Sequence, residues 1–292
     1  MAGRPRTLST IAEMNTRANR QARDDWELFG AHRTRLTAAI AGLAPAGGAG
    51  VLGLLGAGNC NDVDLVALGE RFSRIHLVDI DGAGLERARQ RQPPELRKKL
   101  VAHGGVDLTG FLDKVDRWRS MGVPDEAGID AAVSEGAAAL ARLLPQGTMD
   151  VVVSCCLMSQ LGWCIDTAFG EEAASAVGLT IATVPVHLLT LAGMCREGGV
   201  ALLASDVISS DYYPLDELPP DTDLTALAAE LVPRRDLVYT SANPLLVAHT
   251  LRRNQALRAA FAQPEVLEPW LWQGRMGRTY LVYPQLLRKK SP

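Results

Sequence analysis

The 292-residue chain lacks a marked excess of either charge: 30 Lys plus Arg stand against 33 Asp plus Glu, a net −3. No global field gathers phosphates, and no basic run supplies the local patch that a nucleic-acid partner would need. No stretch reaches the roughly 18 uninterrupted apolar residues of a membrane-spanning helix. The opening MAGRPRTLSTIAEMNTR has no apolar middle of the kind a secretory signal carries, so a cytoplasmic location is expected. Cysteine is sparse: Cys60, Cys155, Cys156, Cys164 and Cys195 are odd in number and without C-x-x-C spacing. That pattern argues against a disulfide framework and against a structural zinc site, and no metal is expected. Internal repeats and low-complexity segments are missing too. What remains, 47% hydrophobic and 22% charged residues, describes a folded chain with a large core.

The first twenty-three residues hold five Arg against one Glu with little apolar periodicity, which predicts a mobile arm over at least the first ten. From Asp24 the pattern changes. Trp26, Phe29, Arg33, Leu36 and Ile40 recur at steps of three and four, predicting a helix whose apolar stripe an arginine interrupts. A Pro/Gly-rich connector over 44–50 leads into the apolar run Val51 to Leu55, a buried strand. Helical spacing of Leu65, Leu68 and Phe72 then precedes a second run at 75–78, with Asp62 serving the helix start. A third strand is expected near 100–102 and a fourth at 149–153, with inserted helices over 111–147 and 157–180. The helical spacing of Ile181, Val184, Leu188 and Leu191 leads through Gly198-Gly199 into a fifth strand at 200–204. A terminal hairpin follows, with Pro269 to Gln273 and Arg278 to Tyr283 around a glycine-bearing connection. Such alternation predicts a largely parallel sheet covered on both faces. The domain reading is an arm and helical cap over 1–45 and an α/β domain over 46–292.

Gly56-Ala57-Gly58 closes the first predicted strand and opens a helix, the context in which a Gly-x-Gly turn points to a ligand. Gly56 permits the tight turn, and Gly58 lets a ligand approach the backbone. Asp79 ends the second strand 23 residues beyond Gly56, near the spacing at which an acid meets the ribose hydroxyls of an adenosine-type ligand. Asp81 either caps the next helix or meets the ligand. A dinucleotide site wants a third glycine three residues after Gly58; Asn61 and then Asp62 stand there, and Asp62 would repel a pyrophosphate. A ligand without phosphates fits better.

In these residues the chain resembles the class I S-adenosylmethionine-dependent methyltransferases: the Gly56-Ala57-Gly58 turn, Asp79, the Gly104-Gly105-Val106-Asp107 segment, Asp150 opening the fourth strand and Gly198-Gly199 before the fifth. By order of elements the resemblance covers roughly residues 46–285. It implies a Rossmann-like, seven-stranded, mostly parallel sheet with a reversed last strand, and S-adenosylmethionine lying across the carboxyl ends of the first strands. Gly56, Ala57, Gly58 and Asn59 would line the methionine portion, Asp79 with Ile80 the ribose, and Val106 with Asp107 the adenine. Ser154 would sit near the methionine end. Two positions depart from the family: Leu54 where an acid is common, and Cys60 where a third glycine is common.

Methyl transfer needs chiefly alignment of a nucleophile and exclusion of water, with a base where the nucleophile carries a proton. Asp206, ending the fifth strand, is the candidate base. Gln160 and the loop pair Tyr212 and Tyr213 are candidate substrate contacts. Arg33 either pairs with a carboxylate of cofactor or substrate, or snorkels and pairs with Asp24 or Asp25. His187, inside a helix, reads as a structural histidine. No N-P-P-Y or D-P-P-Y signature follows the fourth strand, so a small-molecule O, N or S nucleophile is the expected acceptor, with a nucleic acid or a membrane not expected and a homo-oligomer left open. The alternatives are aminopropyl or aminocarboxypropyl transfer from the same cofactor, a nicotinamide-dependent oxidoreductase, and a non-catalytic partner protein that keeps the fold.

Overall fold

The computed structural model describes residues 8–170 and 176–291. Short apolar runs bounded by turns form the strands. β1 (Gly50–Leu55), β2 (Phe72–Asp79), β3 (Leu100–Gly104), β4 (Met149–Cys155) and β5 (Cys195–Ser209) pair in the order β3-β2-β1-β4-β5, all parallel. β8 (Thr279–Arg288) runs antiparallel to β5, from Val200 opposite Arg288 to Ser209 opposite Tyr280. Two short strands lie end to end along its other edge: β7 (Trp270–Gln273) against 279–282 and β6 (Glu265–Val266) against 285–286. The expected sheet with its reversed last strand is therefore present, but with eight strands rather than seven. Pro269, which has no N–H to give to a ladder, stands between the two pieces of the outermost position.

Side chains alternate across the sheet, and both faces are covered. Leu52, Leu54, Val151, Val153 and Leu202 point into one apolar cluster with Leu36 and Ile40 of α2 (Gly30–Gly42) and with α3 (Leu65–Arg71) and α4 (Gly82–Gln90). Val152, Ala201 and Leu203 point the other way, toward α7 (Glu126–Leu143), α8 (Met158–Phe169), α9 (Val177–Met194), α10 (Leu224–Leu231), α11 (Pro244–Arg253) and α12 (Gln255–Ala260). By length and composition α9 would suit a membrane, yet 67% of it is buried in this layer. At the amino end of the sheet Asp150 accepts from Val51 N at 2.7 Å and from Arg196 Nε at 2.6 Å, tying β1, β4 and β5 together far from the ligand end.

Several expectations are corrected. Of the mobile arm, residues 1–7 lie outside the described residues, while 8–10 open a helix, α1 (Leu8–Gln21), whose Ile11 is fully buried against the second cluster. The helix expected from Asp24 begins at Gly30, so Trp26 and Phe29 belong to the turns before it. Asp64, not Asp62, starts α3, its carboxylate accepting from Val66 N at 2.9 Å and Ala67 N at 3.1 Å. Gly198-Gly199 lie inside β5, because α9 passes into the strand at Cys195 without a glycine stop. Between 111 and 147 the inserted helices are α6 (Leu112–Met121) and α7.

Replacing Asp64 by Ala is expected to lower unfolding stability by about 0.5–2 kcal/mol, the range for a lost N-cap, in urea denaturation. An unchanged midpoint would show that this cap contributes nothing net.

Candidate functional site

The carboxyl ends of the parallel strands meet at the glycine turn. Gly56 (φ +73°) and Ala57 donate to Val78 O at 2.9 and 3.2 Å, so the chain leaving β1 is pinned to the end of β2. Gly58 (φ +47°) donates to Asp79 Oδ2 at 2.8 Å, while Asp81 N donates to Oδ1 at 2.8 Å. A side chain at Gly58 would meet Asn19 Oδ1 at 3.1 Å, and one at Gly56 would meet Leu157 at 3.0 Å. Burial pushes the Asp79 carboxyl upward, against the pull of these backbone donors. Cys60, where the resemblance expects a glycine, holds φ +56°, so the backbone keeps the left-handed conformation with a Cβ present.

Above this floor lies α1, which the sequence reading missed. Asn59 Nδ2 donates to Asn19 O, Asn61 Nδ2 donates to Ala22 O at 2.6 Å, and Asn19 Nδ2 donates to Asp81 Oδ2 at 3.2 Å. Two amides of the glycine turn thus hold the last turn of the N-terminal helix. Its signal was legible: Ile11, Asn15, Ala18, Asn19 and Ala22 share one helical face, and all but Ile11 line the cavity below. The arginines of the other faces obscured it.

The cavity, a partly open cleft, measures about 340 Å³, within the range of small-molecule sites. Gly56, Ala57, Gly58, Asn59, Asp79, Ile80, Val106 and Asp107 all line it, so eight of the nine residues expected to hold a cofactor come together. Asp107 does so with both oxygens engaged in its own turn, accepting from Thr109 N, Thr109 Oγ1 and Leu112 N at 2.7–2.9 Å. The ninth, Ser154, is elsewhere. Alternation along β4 turns it toward α9, where it is fully buried and 2.9 Å from His187 Nε2. Burial depresses that histidine to about 4, in keeping with its structural reading. Arg33 also lies outside the cavity: its guanidinium stacks on Trp26 at 3.4 Å and donates to Trp26 O and Asn61 O.

Residues that sequence reasoning did not place here include Asp62 from the loop before α3, Leu157 at the start of α8, and Trp272, Arg275 and Tyr280 of the terminal hairpin. The lining does not suit a pyrophosphate. Asp62 and Asp79 are acidic, and Arg275 is paired with Asp25 at 2.8 Å. It does suit a phosphate-free adenosyl group, to which Asp79 offers acceptor oxygens. Asn59 Oδ1, Asn61 Oδ1 and Asp62 Oδ1 are buried away from the cavity without a hydrogen-bond partner, the last 3.5 Å from His32 Nε2.

A second cavity of about 460 Å³ adjoins the first, with Gln160 and Tyr280 in both walls. Asp206 lies in it, buried, with Ser159 Oγ 2.8 Å from each of its oxygens. Burial raises its carboxyl from 3.8 to about 7, with the Ser159 hydroxyl opposing the rise. Tyr212 lines this cavity edge-on to Tyr239, whose phenol burial pushes up to about 12. Tyr213 instead turns toward the core and packs against the helices behind.

A parallel sheet with an antiparallel strand beyond β5, a glycine turn after β1 and an acid after β2 together decide the architecture. The fold is Rossmann-like, a mostly parallel sheet with one reversed strand and helices on both faces. No protein-family model matches the chain, and no curated protein matches it. Solved structures similar to it include the CurJ carbon methyltransferase (13% identity, 94% of this chain and 58% of that one, TM-score 0.45). Others are a SAM-dependent methyltransferase from Methanosarcina mazei (10%, 84% and 94%, TM-score 0.45) and geranyl diphosphate methyltransferase in complex with SAM (9%, 86% and 86%, TM-score 0.42). The chain thus spans little more than half the length of the first of these. Likeness this remote bears on no single residue, and the functional reading rests on the two cavities.

Because Asp206 takes up its proton more readily folded than unfolded, its own contribution to folding stability falls as pH rises from 3.8 to about 7. The Asp206→Asn variant lacks this titration. Wild-type stability should therefore decline relative to the variant across that window in pH-dependent chemical denaturation; parallel curves would place the carboxylate in a solvated setting instead.

Proposed function

We propose that the chain is an S-adenosylmethionine-dependent methyltransferase that acts on a small-molecule nucleophile. The observation that carries this reading is Asp79, held by Gly58 N and Asp81 N on the floor of one cavity that opens beside a second containing a buried carboxylate. When bound, the cofactor supplies a methyl group already activated by its sulfonium.

The chain's own residues then have separable tasks. Asp79 accepts from the ribose hydroxyls, keeping lone pairs free beyond those its two backbone donors occupy. Gly56, Ala57, Gly58 and Asn59 form the wall along the sulfur side, and Ile80, Val106 and Asp107 flank the base. α1, with the cap segment up to residue 45, closes the roof and excludes water. Gln160 and Tyr280 stand where the cavities meet, so an acceptor in the second cavity would approach the methyl group past them. Asp206 takes the proton from an O, N or S nucleophile, a task for which a carboxyl near neutrality is suited. Tyr212, Tyr239 and Trp163 supply ring surfaces around it.

Two observations favour this over the nicotinamide alternative: the acidic lining and the pairing of Arg275 leave a pyrophosphate without partners. Aminopropyl or aminocarboxypropyl transfer would use the same cradle, and the mass added to the product separates it from methyl transfer. Calorimetric titration with S-adenosylhomocysteine tests the assignment. Wild type should bind, Asp79→Ala should bind more weakly by about 1–3 kcal/mol, and Asp206→Asn should bind as wild type does. Unchanged affinity in Asp79→Ala would falsify the reading of that acid, and binding of NAD in place of the nucleoside would favour the oxidoreductase.

A further inference from the structure

The second cavity is lined by charges that do not balance. Arg278 is the only cation among the described residues of its wall, and it is already engaged: Nε lies 2.7 Å from Asp211 Oδ2, and the guanidinium also meets the Tyr280 phenol. Two carboxylates, Asp166 and Asp206, line the same space. Asp166 accepts from Thr180 Oγ1 at 2.9 Å. Asp206, 6% exposed, has Ser159 Oγ at 2.8 Å from each oxygen. A hydroxyl carries a single proton, so the Asp206 carboxylate keeps acceptor capacity for a ligand.

Aromatic rings complete the wall. Tyr239 and Tyr280 are half-buried, while Trp163 and Tyr212 are more exposed, and Tyr212 stands edge-on to Tyr239 with ring centroids 5.8 Å apart. Burial raises the phenols of Tyr239 and Tyr280, and the negative charge of Asp206 adds to the rise in both, so both rings lie within the field of that carboxylate. An acceptor bearing a carboxylate or a phosphate finds no unengaged cation here. A neutral alcohol or thiol leaves an ionised Asp206 uncompensated. An ammonium ion supplies both N–H donors and positive charge to the carboxylate, and is attracted to the faces of the rings beside it.

We propose that the acceptor is an amine, which enters the second cavity as its ammonium ion, pairs with Asp206 and packs against the rings of Tyr212, Tyr239 and Tyr280. The proposal rests on the methyl-transfer reading and narrows its nucleophile to nitrogen. The ammonium first gives a proton to Asp206. The nitrogen lone pair then forms the new N–C bond while the C–S bond breaks with its electron pair on sulfur. The product leaves as the methylated ammonium ion, and Asp206 returns its proton to solvent.

Binding and turnover are measured separately. Phenethylamine, phenethyl alcohol and phenylpropionate share one ring and differ in the group brought to Asp206. In calorimetric titration without cofactor, wild type should hold the amine about 10–100-fold more tightly than the other two, the range of a hydrogen-bonded charge. At pH roughly 6, below the value of about 7 to which burial raises the Asp206 carboxyl, amine binding should release a proton to the buffer. That release appears as a dependence of the observed heat on the buffer's ionisation enthalpy; the alcohol should show none, nor should the amine with Asp206→Asn. Asp206→Asn should also lose most of the preference, and Tyr212→Ala part of it. With S-adenosylmethionine added, mass spectrometry should find the amine carrying one added methyl group. The wild-type comparison needs no variant to fold. Failure of wild type to bind the amine, binding no tighter than that of the alcohol or the acid, or binding without proton release would each overturn the proposal, as would an Asp206→Asn variant that keeps the preference. Selective amine binding by a protein that takes up no S-adenosylhomocysteine would instead fail the cofactor reading, a result distinct from loss of amine selectivity.

Discussion

The Asp79 carboxylate is the node on which the ligand end of the sheet depends. Parallel strands end at their own heights, and something must bring the turns after them into one plane. Asp79 does so with three bonds: Oδ2 takes Gly58 N from the turn after β1, Oδ1 takes Asp81 N from the start of α4, and the backbone oxygen takes Val106 N at 3.2 Å from the turn after β3. A buried carboxylate costs stability unless its oxygens are met, and here the backbone meets them. The same bonds that compensate burial orient the oxygens toward the cavity, so the folding constraint and the binding constraint are one arrangement.

The roof has a different physical basis. Ile11 of α1 is fully buried, and amides also tie the helix to its neighbours: Asn59 and Asn61 reach up to the backbone oxygens of Asn19 and of Ala22 just beyond its end, and Asn19 reaches down to Asp81. Polar bonds over a cavity can be exchanged for bonds to water more cheaply than apolar burial can be undone, so they resist local opening less.

The strands were legible because β1, β2, β4 and β5 are buried on both faces and read as continuous apolar runs, and the Gly56–Asp79 pair was legible because a strand, helix and strand frame fixes its spacing. The failures have equally local causes. For Ser154 the strand was right, but one step of alternation decides whether a side chain faces α9 or the cavity. Near α3 the sequence offers two acids, Asp62 and Asp64, and only packing of α2 against the turn leaves the second to cap the helix. The second cavity draws together Ser159, Asp206, Tyr239 and Tyr280 from segments up to 121 residues apart, which no local period reports. In α1 the amide stripe was present, but arginines at neighbouring positions masked its apolar content.

The two departures from the family pattern differ in kind. At Cys60 the backbone still adopts the left-handed angle that a glycine there would take, at a local cost of roughly 1–2 kcal/mol for an L residue. The turn keeps its shape, because burial of the thiol within the cluster under α3 and α4 offsets part of that cost. At Leu54 no such conservation of geometry is available, since a leucine cannot do what a carboxylate does. Negative charge on the cavity wall comes instead from Asp62 and Asp79, while Asp81 is paired with Arg87 at 3.4 Å and Arg275 with Asp25. The cavity wall is therefore acidic while the neighbouring cations are occupied, a distribution that disfavours phosphate.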